Sequence, residues 1–344
     1  MKLLKDLCLA ISSSNNEDAA IKVWDEYCKT ISGSKQVYQD HLKNSVWSLG
    51  NGGSKKILLS AHIDTVYATV TKITDKGTLM FSQGAGICLK SLISGRVLVS
   101  TETDTYVPGV VQKIALHIDD DRKKVGDWLD YRINIGCCNK KQVEELGIFP
   151  GCQIIYHPEI NTEFGHGFIH GTGLDDKAGI WIVGECMKNL VEKIPEEYTV
   201  YFGACTQEET GLNGAKRVAK NLNPDISIDI DCTFADSELA GKEFKDLDLN
   251  LGDGALIAYG PEKSKRLCDI MRETAKENSI PFKTYATRAG GTNTKSFQDF
   301  SMDCECGLLS FGLLSMHCSN EIVKKDDLIN CSNLLIKLIE NSAV

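Results

Sequence analysis

Two histidines and a set of carboxylates stand at the ends of apolar runs in this chain. "KKILLSAHIDTV" (55–66) ends in His62 and Asp64. "GLDDKAG" offers Asp175 and Asp176 just before a helical pattern. "EYTVYFGAC" runs into Glu208 and Glu209, "SIDIDC" holds Asp229 and Asp231, and the apolar run "CGLLSFGLL" leads to His317. Each feature alone has a plain reading. A histidine after a strand is commonly a satisfied core or surface group. Paired aspartates before a helix cap it and complement its dipole, and adjacent glutamates are usually a solvated face. Five such coincidences in one chain are poorly explained as independent accidents. Gathered at one edge, these groups would repel each other unless a cation compensated them, and N/O donors suit Zn²⁺, Co²⁺ or Mn²⁺. The acid count favours two ions, with one bridging carboxylate, one histidine per ion and one further acid per ion. Paired ions activate water and polarise a carbonyl, and a spare carboxylate would act as general base. In the His-x-Asp pair, residues i and i+2 of a strand share a face, so Asp64 can orient the ring of His62.

For these residues to meet, their strands must lie side by side and end at one edge, as in open α/β sheets. Residues 1–12 and 17–32 read as helices, with Asn16 as N-cap of the second. The run 55–66 has the texture of a strand buried on both faces. Between 67 and 170 the pattern changes to short alternating segments such as "VTKITDKGTLMFS" and "GRVLVSTET", broken by turn residues. This predicts a small β-barrel or sandwich with one short helix, "NKKQVEELGI". From 171 strands and helices alternate again, which implies a mostly parallel sheet covered on both faces. The expected fold is α/β: a mixed, mostly parallel sheet sandwiched by helices, with an inserted small β-barrel. Residues 1–66 and 171–344 form the catalytic domain, and 67–170 form the insert.

Composition narrows the function. A net charge of -9 over 344 residues argues against a nucleic-acid surface and against anionic membranes. No apolar run approaches the ~20 residues that span a bilayer. The start, "MKLLKDLCLAIS", is interrupted by Asp6 and lacks the features of a secretory signal. Fourteen cysteines are scattered, several inside apolar runs, and read as packed thiols in a reducing cytoplasm. Cys137-Cys138 and Cys304-x-Cys306 read the same way, because no second CxxC or Cys/His pair lies nearby.

In order, "AHIDTV", "GLDDKAG", "TQEETGLNGAK", "DIDCTFAD", "RAGGTN" and "LLSMHCSNE" resemble the co-catalytic metallo-aminopeptidases of the tetrahedral and glutamyl aminopeptidase type. "DYRINIGCCNKKQVEELGIFPG" is similar to that family's barrel segment, and the resemblance covers nearly the whole chain. It implies a metal-dependent aminopeptidase that releases N-terminal residues from short peptides. His62 and Asp231 would hold the first ion, Asp175 would bridge, and Glu209 and His317 would hold the second. Asp64 would stand behind His62, and Glu208 would be the general base. A cis peptide bond between Asp175 and Asp176 is also implied. The insert would be a dimerisation domain, and dimers would assemble into a hollow tetrahedral dodecamer. Departures are Thr65-Val66 after the His-x-Asp, Asn293 in place of the family's aspartate after Gly291-Thr292, and Asn134 in the barrel. None removes a ligand or the base. Arg288, Gly291 and Thr292 are candidates for the substrate pocket, with Arg288 either favouring acidic side chains or serving as a surface cation.

Three other readings compete. Related dipeptidases, carboxypeptidases and deacylases tend to carry their insert after the paired glutamates. Here about 110 residues separate Asp64 from Asp175 (175 minus 64), before that pair. A glycosidase needs two carboxyls ~5 Å or 6.5–9.5 Å apart across a sugar, which adjacent residues on one turn seldom achieve. A non-catalytic peptide-binding scaffold would be expected to lack ligands or base, and all are present.

Overall fold

The run from Ile57 to Ala61 has apolar side chains at both parities, so a strand built from it needs cover on both faces. In the computed structural model, which describes residues 1–50, 52–119, 124–235, 248–287 and 291–344, it receives that cover. Helices α1 (Lys2–Leu9) and α2 (Asp18–Lys29) precede strands β1 (Lys35–Gln39), β2 (Ser45–Leu49) and β3 (Lys55–His62). The chain then enters the segment β4 (Tyr67–Ile73), β5 (Thr78–Ala85), α3 (Leu89–Leu92), β6 (Arg96–Ser100), β7 (Tyr106–Gln112), β8 (Arg132–Asn134), α4 (Lys140–Glu145) and β9 (Gln153–Tyr156). After it come β10 (Ile160–Phe164), β11 (Phe168–Gly171), α5 (Leu174–Asn189), β12 (Tyr198–Cys205), α6 (Asn213–Leu222) and β13 (Ile226–Phe234). The last part holds β14 (Ala255–Tyr259), α7 (Lys265–Glu277), β15 (Phe282–Ala286), α8 (Asn293–Phe300), β16 (Glu305–Leu313), β17 (Glu321–Lys324) and α9 (Lys325–Glu340).

Two units result. The first comprises Met1–Thr65, Ile160–Met316 and Glu321–Val344. Its eight-stranded sheet runs β1-β2-β12-β3-β13-β16-β14-β15. The central neighbours β12/β3, β3/β13 and β13/β16 are parallel, so their carboxyl ends share one edge. Ile57, Leu59 and Ala61 of β3 pack in the cluster that holds Leu7, Trp24, Ile182, Met271 and Leu335 from α1, α2, α5, α7 and α9. Leu58 points the other way, into the cluster of Ala215 and Val218 of α6 and Phe297 of α8. Burying a residue such as Leu58 or Leu59 stabilises the fold by about 1.5–3 kcal/mol, so a polar substitution on either face opens the sheet.

The second unit comprises Val66–Glu159 with His317–Asn320. Its strands close into a barrel in the order β4-β5-β8-β7-β6-β9. Val70, Phe81, Val97, Val99, Val111, Ile133 and Ile154 fill the interior, as the alternating pattern requires. The expected short helix is α4, capped by the Asn139 side chain, which accepts from the Gln142 N–H at 3.0 Å.

Two expectations shift. The insert was expected over 67–170, yet β10 and β11 form a three-stranded sheet with β17 and belong to the first unit. Backbone pairing of Phe168–Gly171 with Glu321–Lys324 draws them there. Asn16 is not the cap of α2: the N-cap is Glu17, whose carboxylate serves the Asn15 and Gln207 N–H groups instead. All fourteen cysteines are free thiols. Among the described residues no helix is long and apolar enough to cross a membrane.

Candidate metal centre and active site

The parallel strands deliver their terminal residues to one edge of the sheet. His62, the last residue of β3, is buried. Its Nδ1 lies 3.1 Å from the Asp64 main-chain carbonyl and 3.6 Å from Asp64 Oδ1. A carbonyl only accepts, so Nδ1 carries a hydrogen and Nε2 is the nitrogen left for an ion. Nε2 lies 3.1 Å from Asp175 Oδ1. Donor atoms of His62, Asp175 and Asp231 all lie within 4.8 Å of one another, all on buried residues. Two carboxylates and an imidazole at that spacing are a fitting donor set for a divalent ion.

Asp175 and Asp176 begin α5 with non-helical backbone, and the peptide bond between them is cis. The Asp175 N–H donates to Glu321 Oε2 at 3.2 Å. The fully buried Asp176 carboxylate accepts from the His62 and Gly179 N–H groups, both at 3.2 Å. It thereby ties the end of β3 to the start of α5. Asp231 rather than Asp229 joins the donor cluster. Asp229, two residues earlier on β13, accepts from Ser60 Oγ at 2.9 Å.

Glu208 and Glu209 lie half-buried in the turn after β12. Asp64 was expected to orient His62, and its carboxylate does more. It accepts from the Glu208 N–H at 2.9 Å, the Glu209 N–H at 3.2 Å and Ser14 Oγ at 2.6 Å. Because β3 ends at His62, Asp64 lies beyond the strand and is free to clamp this turn. Buried Glu17 holds the preceding residue by accepting from the Gln207 N–H at 3.2 Å.

The electrostatics of the cluster follow from crowding. Burial raises the Glu208 carboxyl well above its usual range. His62 pulls it down, and Asp231, Glu209 and Asp64 push it further up. Burial, opposed by His62 and reinforced by Asp175, does the same to Asp231. Burial disfavours charge on His62, but Asp175 and Asp64 outweigh it, so its basicity is raised well above normal. Burial, with Asp64 close by, pushes Glu17 up to about 8. A site that raises the proton affinity of so many acids has an excess of negative potential, which a divalent cation would offset.

The remaining predicted residues have the following local settings. His317 belongs to the barrel unit, where its Nδ1 donates to the Gly86 carbonyl at 3.0 Å. Thr292 is the N-cap of α8, its hydroxyl accepting from the Thr294 N–H at 3.3 Å, and Gly291 is exposed. Arg288 lies outside the described residues. His170 packs against Phe164 with ring centroids 5.4 Å apart, and the exposed His166 gives its carbonyl to Lys324. Sequence reasoning passed over Ser14, Glu17 and Glu321. Each acts on a backbone N–H or a carboxylate far away in the chain, and only "HCSNE" carried one of them inside a motif.

A parallel sheet that gathers histidine and carboxylates at one edge, with a further glutamate near enough to feel the charge of His62 and Asp231, defines a metal-dependent hydrolase. Residues 44–334, well over half of the chain, match the family described as M42 glutamyl aminopeptidase, and the chain belongs to that family. Among its relatives is the lysyl aminopeptidase of Pyrococcus furiosus, 27% identical over 294 residues, covering 84% of this chain and 82% of that one. The TET aminopeptidase of a marine sediment Thaumarchaeota archaeon superposes with a TM-score of 0.90 at 25% identity, covering 99% of this chain and 96% of that one. The TET1 peptidase of Pyrococcus horikoshii, which can assemble into a tetrahedron or a large octahedral shell, superposes with a TM-score of 0.84 at 28% identity. The cover there is 98% of both chains. The protein is a metal-dependent aminopeptidase.

Proposed function

We propose that the enzyme releases N-terminal residues from short peptides at a dinuclear centre. His62 and Asp231 hold the first ion, Asp175 bridges, and Glu209 and His317 hold the second. The observation that carries this reading is the buried set His62, Asp175 and Asp231, whose donor atoms lie within 4.8 Å of one another. The bound ions supply electrophilic polarisation of the scissile carbonyl and acidify a water. Glu208 takes a proton at its carboxylate and returns it to the leaving amine, the role of a general base. Asp64 fixes the turn that carries Glu208, and Asp176 fixes the main chain of His62. Gly291 and Thr292 contact the substrate in this reading, and Arg288, which lies outside the described residues, is a candidate for the same role. Zn²⁺ or Co²⁺ is the proposed metal, with Mn²⁺ as a third candidate by ligand chemistry.

The fourteen free thiols support a reducing, cytoplasmic setting. The assembly described for the Pyrococcus horikoshii relative supports a homo-oligomer; dimers joined through the barrel, assembled up to a tetrahedral dodecamer, are the form proposed. The test is metal analysis combined with a panel of aminoacyl-chromophore substrates. Two ions per chain and hydrolysis of free-amino substrates are expected. Hydrolysis only of N-terminally blocked substrates would overturn the aminopeptide specificity in favour of a related exopeptidase or deacylase.

A further inference from the structure

His317 has a backbone that a residue with a β-carbon adopts only when its surroundings impose it, with φ at +61°. Three parts of the barrel unit impose it. Tyr156, buried at the end of β9, has its hydroxyl 3.0 Å from the His317 carbonyl and 3.1 Å from the Cys88 carbonyl. Its single hydrogen is thus shared between the two acceptors. The Cys88 N–H donates to the same His317 carbonyl at 3.3 Å. Ser91 Oγ accepts from the Ser319 N–H at 2.7 Å and pins the residues that follow. The ring is fixed separately. Its Nδ1 donates to the Gly86 carbonyl at 3.0 Å, which fixes the tautomer and leaves Nε2 as the nitrogen that would bind an ion. A β-carbon on Gly86 would sit 2.8 Å from Nδ1 and 2.9 Å from Cε1 of that ring. Only glycine leaves the imidazole this position.

We infer that Tyr156 and Gly86 are positioning residues for metal binding, the first setting the main chain of His317 and the second setting its ring and tautomer. The inference rests on the reading of His317 as a ligand of the second ion. Neither residue touches substrate or ion. Both act by presenting Nε2 in one orientation, as hydrogen-bond partners of metal-bound histidines do.

The test uses the full chain stripped of metal by chelation and titrated with Zn²⁺ by calorimetry, with Co²⁺ absorption as a second readout. The unsubstituted chain takes two ions. In Tyr156→Phe and Gly86→Ala the first ion binds with unchanged affinity, and the second binds about 10- to 100-fold more weakly, the range seen when partners of metal-bound histidines are removed. Activity of Tyr156→Phe returns as the metal concentration is raised, and thermal melting of its metal-free form is unchanged. A merely structural role would lower the melting temperature and leave the affinity for the second ion alone. His317→Ala serves as the reference and loses one ion. If His317→Ala still takes two ions, the ligand assignment fails and this inference with it. If His317→Ala loses one ion while Tyr156→Phe binds both with unchanged affinity, the inference alone is overturned. Should Gly86→Ala not fold, Tyr156→Phe decides the matter.

Discussion

Substituting Asp64 by Asn separates two ways in which this residue can act. Its carboxylate is fully buried and accepts from the Glu208 N–H, the Glu209 N–H and Ser14 Oγ, while His62 Nδ1 stands 3.6 Å away. An asparagine replaces one of the two acceptor oxygens by an NH₂ donor. Oδ1 faces the Glu208 N–H and Oδ2 faces the Glu209 N–H, so either orientation sets the NH₂ against a backbone N–H. At least one charge-assisted hydrogen bond is lost, about 1.5–3 kcal/mol. Expressed fully in the placement of Glu208, that is about 10- to 150-fold in kcat, at 1.36 kcal/mol per decade. The assay is hydrolysis of an aminoacyl p-nitroanilide at saturating metal, with metal content and urea denaturation followed in parallel. The expected result is reduced kcat with the first ion retained. If kcat at saturating metal is unchanged and the first ion binds more weakly, Asp64 acts through the His62 ring alone, and the argument from the turn is wrong.

Glu208→Gln keeps both ions and loses nearly all turnover, read by metal analysis and steady-state kinetics; retained turnover would exclude Glu208 as the base. Gly179→Ala places a β-carbon 2.4 Å from both Asp176 carboxylate oxygens, so the carboxylate must leave the His62 N–H. A destabilisation of about 1–3 kcal/mol is expected for such overpacking, measured by urea titration, together with weaker binding of the first ion. Asp327 accepts from the N–H groups of Gly252 at 2.7 Å and Gly254 at 3.0 Å, and burial pushes its carboxyl from 3.8 up to about 6. The folded state therefore holds this proton more tightly than the unfolded chain. Its stabilising contribution is complete below pH 3.8 and is lost as the pH rises to about 6. Chemical denaturation between pH 4 and 7 should show the stability gap between the unsubstituted chain and Asp327→Asn changing across that window, and a pH-independent gap would contradict the assignment.

Much of the framework was legible because it rests on local patterns. The double-sided apolar run of β3 requires a covered sheet, and acids placed directly after β3, β12 and within β13 require a common edge. The alternating texture of 67–170 likewise points to a barrel-like interior. Alternation cannot say which partner a strand pairs with, and for that reason Ile160–Gly171 looked like part of the insert until its pairing with Glu321–Lys324 was seen. The clamp made by Asp64 and Glu17 was illegible for another reason. Their partners are backbone N–H groups more than a hundred residues away, and a main-chain donor leaves no trace in residue type. Likewise nothing in the spacing of "MHCSNE" assigns His317 to the barrel unit, since that depends on Tyr156 and Gly86 far upstream.

The barrel unit is drawn from two stretches of chain, Val66–Glu159 and the four residues His317–Asn320. It is therefore not a cassette. A chimera that exchanged the longer stretch for that of a relative would leave the native tetrapeptide facing foreign counterparts of Tyr156, Gly86 and Ser91. Grafts in this family should be cut at four junctions, with the short return segment travelling alongside the long one.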